Sequence, residues 1–387
     1  MENNNKTYRK KDSFVSFKNT KGTSLDEAEK KLIEILNSED NISSYDNADK
    51  DILKRILQDL LNPQNKKNQN CFSLKKNTLA ELNSFENDRE ITTYLVHRYR
   101  YEIFPVTKEI HTFPPLVQIE PSSICNFRCV FCFETDKSFS DKNSGHMGTM
   151  KLEMFKNIID QIKGKVEFVT LASRGEPLIS KDINKMIEYT SGKFLNLKIN
   201  TNASLLNEEK SHSILSSNVK TVVFSADAAD EDLYKKLRVN GNLAKTLENI
   251  KNFIKIKEKH YPKNKVITRV SGVKFSDKQN FEEMEKLWGN LVDQVVFVDY
   301  NPWENSYQKE TNEITEPCSD LWRRLFVWWD GKINPCDVDY KSLLSVGNIT
   351  ENNIDKLWSS DAYQNLRTMH LKKKRAGIKP CNACTVV

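Results

Sequence analysis

Leu116-Val117-Gln118-Ile119-Glu120-Pro121-Ser122-Ser123-Ile124-Cys125-Asn126-Phe127-Arg128-Cys129-Val130-Phe131-Cys132 reads as a short strand, a turn and then three thiols within eight residues. Three thiolates so closely spaced can wrap one face of an iron–sulfur cube. A cubane has four irons, so three ligands leave one iron open, and an open position marks a catalytic rather than a structural metal. Zinc held by the three cysteines and a distant fourth ligand is the alternative on spacing alone.

Outward from this stretch, short β-rich runs recur at 116–120, 166–171, 195–201, 219–225, 266–273 and 295–299, and helical patterns separate most of them, at 152–162, 230–237, 243–256 and 281–291. Alternating strands and helices predict a parallel sheet of βα units. Six strands fall short of a closed eight-stranded barrel, so the expected fold is α/β, an open partial barrel. Chemistry in such barrels sits at the C-terminal ends of the strands, where Cys125, Cys129 and Cys132 fall.

Residues 1–112 differ in character. They are rich in Asn, Lys, Asp and Glu and read as helical rather than as strands. Ser24-Leu25-Asp26-Glu27 is a capping-box signature ahead of a helix carrying Leu32, Ile33 and Leu36. Ile52, Leu53, Ile56, Leu57, Leu60 and Leu61 follow at helical spacing until Asn62-Pro63 ends the pattern, and a third helix is expected over 78–101. The predicted organisation is a helical N-terminal extension (1–112), a partial barrel (113–310) and a small C-terminal α/β unit (311–387) organised around metal.

A hydrophobic fraction of 38% and a charged fraction of 29% describe a globular chain rather than a disordered or membrane-embedded one. No apolar run reaches the roughly 18 residues of a spanning helix, and the polar start Met1-Glu2-Asn3-Asn4-Asn5 lacks a secretory signal's apolar core; a cytoplasmic location is expected. The net charge of +6 is modest for 387 residues. Lys372-Lys373-Lys374-Arg375 reads as a solvated face, and nucleic acid is not an expected partner. In a reducing compartment, clustered cysteines point to metal or catalysis rather than disulfides. Seven of the eight fall into two groups, Cys125/Cys129/Cys132 and Cys318/Cys336/Cys381/Cys384, with Cys71 apart.

The C-x3-C-x2-C spacing with Phe131 before the last cysteine resembles the radical S-adenosylmethionine (SAM) superfamily. That resemblance implies a partial (β/α)6 TIM-like barrel and a [4Fe–4S] cluster on Cys125, Cys129 and Cys132. It also implies reductive cleavage of SAM to a 5′-deoxyadenosyl radical that abstracts hydrogen from substrate, with a flavodoxin- or ferredoxin-type electron donor. Further elements match in order. Gly175-Glu176-Pro177 is similar to the family's Gly-Glu element for the SAM ammonium group. Asn200-Thr201-Asn202-Ala203 is similar to its Thr-Asn-Gly turn, with alanine in place of the glycine. Ser225 and Arg238 resemble the residues near the SAM ribose and carboxylate. Phe131, Gly175, Glu176, Asn200, Asn202, Ser225 and Arg238 are thus the candidate cofactor-binding residues.

Four cysteines saturate either zinc or an iron–sulfur cluster, and spacing alone leaves both open. Asp330-Gly331-Lys332-Ile333-Asn334-Pro335-Cys336, Gly347-Asn348-Ile349 and Leu357-Trp358 resemble the SPASM extension or its shorter twitch form. Cys318, Cys336, Cys381 and Cys384 then imply one auxiliary [4Fe–4S] cluster, with spacing similar to that of the butirosin-pathway aminocyclitol dehydrogenase. A saturated cluster suits electron transfer. Hydrogen loss from a carbinol carbon leaves a strongly reducing radical, and no spare thiol remains to return a hydrogen atom. The expected reaction is oxidation of a small alcohol, a sugar or aminocyclitol. A peptide-modifying maturase and a zinc-stabilised binding protein without activity are the alternatives. Arg269, Lys274, Tyr300 and Trp303, near the ends of late strands, are candidates to line the substrate pocket; no catalytic base is assigned.

Overall fold

The computed structural model describes residues 7–8, 13–18, 24–304 and 306–387. Its strands in chain order are β1 (Phe14–Phe17), β2 (Leu116–Ile119), β3 (Arg128–Cys129), β4 (Phe168–Leu171), β5 (Asn196–Thr201), β6 (Thr221–Ser225), β7 (Arg238–Val239), β8 (Ile267–Lys274), β9 (Gln294–Asp299), β10 (Arg324–Val327), β11 (Lys332–Asn334) and β12 (Gly347–Asn348). The main sheet runs β1-β9-β8-β6-β5-β4-β2-β10-β11-β12, while β3 and β7 form a separate antiparallel pair. From β9 to β10 every pairing is parallel. The six expected strands are all there, in sequential order from β2 to β9, so the α/β partial-barrel reading holds.

Helices Leu152–Ile162, Ile183–Thr190, Glu208–Ser216, Leu243–His260 and Phe281–Gly289 follow β-strands or their loops and bury one apolar stripe each. In the first of these, Phe155, Ile158, Ile159 and Ile162 recur at helical spacing and are fully buried, which is why that segment packs as a helix against the sheet. One core joins this barrel to the C-terminal unit, with Val117, Ile199 and Val270 in the same cluster as Trp358 and Tyr363.

The N-terminal helices bury a second core, including Leu32, Leu53, Ile56, Tyr94 and Leu95, which meets the barrel at Phe168. Ser24 forms the expected capping box with Glu27, and the helix Asn47–Leu61 stops where Asn62-Pro63 predicted. Two readings need correction. The helix expected over 78–101 is two, Lys76–Leu82 and Asp88–Glu102, because Asn87 caps a new helix by accepting from the Glu90 amide. The extension also holds a strand: Phe14-Val15-Ser16-Phe17 pairs antiparallel with the outer edge of β9. Four residues in a polar neighbourhood carry too little periodicity to announce a strand; the exposed edge of β9 supplies the template.

The C-terminal unit begins as one more barrel strand. β10 lies parallel to β2, Arg324 opposite Leu116 and Val327 opposite Ile119; β11 then turns back antiparallel. Cys336 follows the end of β11 and so lies at the starting end of β2, whereas Cys125 follows the finishing end. No helix among the described residues is long and apolar enough to cross a membrane.

Candidate functional site: two cysteine groups on one cavity

A cavity of about 470 Å³ runs along the inner face of the sheet. Cys125, Cys129 and Cys132 line it beyond the finishing end of β2, and Cys318, Cys336 and Cys384 line it near the starting end. Four residues of parallel strand span about 13 Å. All seven candidate cofactor-binding residues, Phe131, Gly175, Glu176, Asn200, Asn202, Ser225 and Arg238, border this same space.

The loop of the first three cysteines is fastened on several sides. The β3–β7 pair sets Cys129 opposite Arg238 and Arg128 opposite Val239. Gly175 packs so closely on the loop that a Cβ there would lie 2.5–2.6 Å from the backbone of Ser122, Ser123 and Ile124, and the Glu176 amide donates to the Ile124 carbonyl at 2.9 Å. The amide of Asn202 reaches the side chain of Asn126, Nδ2 to Oδ1 at 3.0 Å. Trp303 donates from Nε1 to the Phe131 carbonyl at 2.9 Å.

Glu176 is buried, and its carboxylate accepts from the Thr201 hydroxyl (2.7 Å), the Asn202 amide (2.7 Å) and the Leu178 amide (3.1 Å). Burial raises its pKa while these donors pull it down. Ala203, where the resembling motif has glycine, takes φ +60°, a left-handed conformation costing roughly 1 kcal/mol for a residue with a Cβ. Asn249 holds it there by donating to the carbonyls of Ala203 and Ser204. Arg238 is committed to Asp227 at 2.5 Å and points Nη1 at the Cys129 sulfur at 3.7 Å.

The donor sets fit iron–sulfur clusters. Burial first, then the charge of Glu176, pushes the Cys125 thiol up to about 12. Cys132 is raised well above the ordinary thiol value by burial and then by Cys129. Burial and Asp320 push Cys318 up to about 12, and burial followed by Cys381 raises Cys336. Thiols that mutually oppose ionisation become thiolates together only around a cation. Among the described residues no three His, Cys, Asp or Glu side chains form a single-ion site as they stand; both sets line cavities instead. All four C-terminal cysteines surround a second, small one with His370 and Arg375. Arg375, 1% exposed, donates to the carbonyls of Glu316, Cys381, Cys384 and Val386 and ties the last loop into place. Cys71 lies in the helical extension, near Asp59.

Of the four late-strand candidates, Tyr300 and Trp303 border the main cavity; Arg269 pairs with Glu81 and Gln294, and Lys274 with Asp299. Several lining residues escaped the sequence reading. Gln118, Thr170, Lys198 and Ser271 face inward from β2, β4, β5 and β8; the signal was present in β5, where Lys198 alternates with buried Leu197 and Ile199 and precedes the expected Asn200 by two residues on the same face. Ser173, at φ +145°, and Asn200 each leave a buried side-chain oxygen without a partner in this cavity, as a site for a polar ligand does.

Comparison with known proteins agrees with this geometry. Residues 119–287 match the radical SAM superfamily and residues 318–385 match SPASM, an iron–sulfur cluster-binding domain. The chain carries a radical SAM domain followed by a SPASM domain, and the two imply a SAM-binding [4Fe–4S] cluster and an auxiliary cluster.

Among curated relatives, GTP 3′,8-cyclase of Clostridium botulinum (strain Okra / Type B1) is 27% identical over 219 residues, 53% of this chain and 64% of that protein. The chain thus spans less than two thirds of that relative's length. The AdoMet-dependent heme synthase of Methanosarcina barkeri is 23% identical over 70% of this chain and 91% of its own length. Among solved structures, Streptococcus suis SuiB bound to precursor peptide SuiA aligns with a TM-score of 0.54 at 17% identity, over 89% of this chain and 84% of that one. BtrN in complex with AdoMet and 2-DOIA aligns with a TM-score of 0.50 at 16% identity, over 72% of this chain and 95% of that one. These structural likenesses are of fold.

Proposed function

We propose that the chain is a radical SAM oxidoreductase acting on a small alcohol of the sugar or aminocyclitol class, with the auxiliary cluster taking up the substrate's electron. The observation that carries this reading is one cavity, with polar side chains facing into it, that has a three-cysteine set at one end and members of a four-cysteine set at the other. Cys125, Cys129 and Cys132 would hold the cluster that, with SAM and one electron from a flavodoxin- or ferredoxin-type donor, supplies a hydrogen-abstracting radical. Glu176, Asn200, Asn202, Ser225 and Arg238 border the space for SAM. The inward-facing Gln118, Thr170, Lys198 and Ser271 offer hydrogen bonds to a hydroxylated substrate.

A peptide substrate is the second reading, favoured by the fold likeness over 89% of the chain to a protein solved with its precursor peptide. Anaerobic reconstitution decides between them. The expected result is about half the iron lost in a Cys125/Cys129/Cys132→Ala variant, and one 5′-deoxyadenosine formed per alcohol oxidised by two electrons in the native sequence. SAM consumption without oxidation of any small alcohol, in a preparation carrying both clusters, would sink the alcohol reading.

A further inference from the structure

His370 sits in the last turn of the helix Asp361–Leu371, fully buried, against the small cavity bordered by Cys318, Cys336, Cys381 and Cys384. Its Nδ1 accepts a hydrogen bond from the backbone amide of Cys318 at 3.2 Å. A ring nitrogen that accepts carries a lone pair, so the imidazole hydrogen is on Nε2. That Nε2 is buried with no partner among the described residues. An orphaned buried donor in a natural fold calls for an acceptor, and what the cavity would hold, on the reading above, is an electron-rich cluster ligated by thiolates.

We infer that His370 is a positioning and tuning residue of the auxiliary cluster: Nδ1 fixes the Cys318 backbone, while Nε2–H donates to a cluster sulfide or cysteine sulfur. This rests on the reading of the four cysteines as cluster ligands. A hydrogen bond to sulfur stabilises the added electron and raises the cluster's reduction potential. The neighbouring cation Arg375 spends its donors on carbonyls, so His370 offers a side-chain donor to sulfur in this wall, beside the Val386 amide that reaches the Cys384 sulfur at 3.5 Å.

The test uses the full chain with Cys125/Cys129/Cys132→Ala, so that only the auxiliary cluster titrates. His370→Asn places an acceptor near the position of Nδ1 and removes the distal donor; His370→Gln places a donor near the position of Nε2. The expected result is unchanged iron content in both, a reduction equilibrium about tenfold less favourable in His370→Asn (about 59 mV for one electron) and recovery of most of that in His370→Gln. In the same background with native His370 and 15N-histidine, pulsed EPR of the reduced cluster should show an imidazole nitrogen coupling, a readout independent of how the variants fold. A bound cluster lacking that coupling, or an unmoved potential in His370→Asn, overturns the inference alone. A background that binds no iron removes the cluster reading and the inference with it.

Discussion

Arg174 and Glu120 face each other side-on inside the protein, Nη2 to Oε1 at 2.6 Å and Nε to Oε2 at 2.8 Å, with both side chains at 2% exposure or less. The same carboxylate accepts the backbone amides of Arg174 and Trp329, and the same guanidinium donates to the Tyr340 carbonyl and lies over Trp328. One ion pair therefore joins the end of β2, the loop carrying Glu176 and the C-terminal unit.

Removing one partner strands a buried charge. Arg174→Met is expected to lower the unfolding free energy by about 3–5 kcal/mol. The double variant Arg174→Met/Glu120→Gln should lose clearly less than the two single changes added together. Denaturant titration of the four proteins under anaerobic conditions measures the coupling.

Gly175 is required by proximity rather than by its backbone angle. A Cβ at that position meets the backbone of Ser122, Ser123 and Ile124, which cannot yield without moving the loop that leads into Cys125. Gly175→Ala should therefore lose most of the first cluster, seen as about half the iron of the native protein, with the auxiliary cluster retained. Gly164→Ala is the control: its φ of +70° brings strain, but nothing lies near its Cβ. About 1 kcal/mol of stability should go, and the iron content should stay.

Glu176→Gln turns one of the two carboxylate oxygens into an amide nitrogen, so either the Asn202 amide, now on Oε2, or the Leu178 amide, now on Oε1, meets a donor where it needs an acceptor. Equilibrium binding of SAM to the reconstituted variant should weaken tenfold or more, with both clusters present. Native-strength binding would exclude Glu176 from the SAM site.

At the junction of the helical extension and the barrel, burial first and Arg100 second hold the His111 imidazole down to about 4. In the unfolded chain it titrates near 6.5, at about that pH. Between these values the unfolded state binds the extra proton, so stability is full above about pH 6.5 and falls as the pH drops toward 4. With its partial exposure discounted, His111 should contribute roughly 1 kcal/mol of loss between pH 7.5 and 5. His111→Gln should shrink that loss by this amount in denaturant titrations at the two pH values.

What the sequence determined by itself was local. C-x3-C-x2-C is a spacing, and thiols within eight residues share a site however the rest of the chain runs. The strands β2, β4, β5, β6, β8 and β9 were legible because each is a short apolar run, with amphipathic helical patterns between most of them. Gly175-Glu176 was legible because it follows a strand, and Asn200–Asn202 because it closes one. The tertiary structure decided what depends on residues far apart. β1 exists because the edge of β9 pairs with it. Arg238 meets Cys129, and Arg174 meets Glu120, through pairings that no spacing encodes. Above all, the parallel docking of β10 on β2 is what brings Cys318, Cys336 and Cys384 to the far end of the cavity that begins at Cys125. Register between strands some two hundred residues apart is set by side-chain packing across the sheet, and that information lies in no single stretch of the chain.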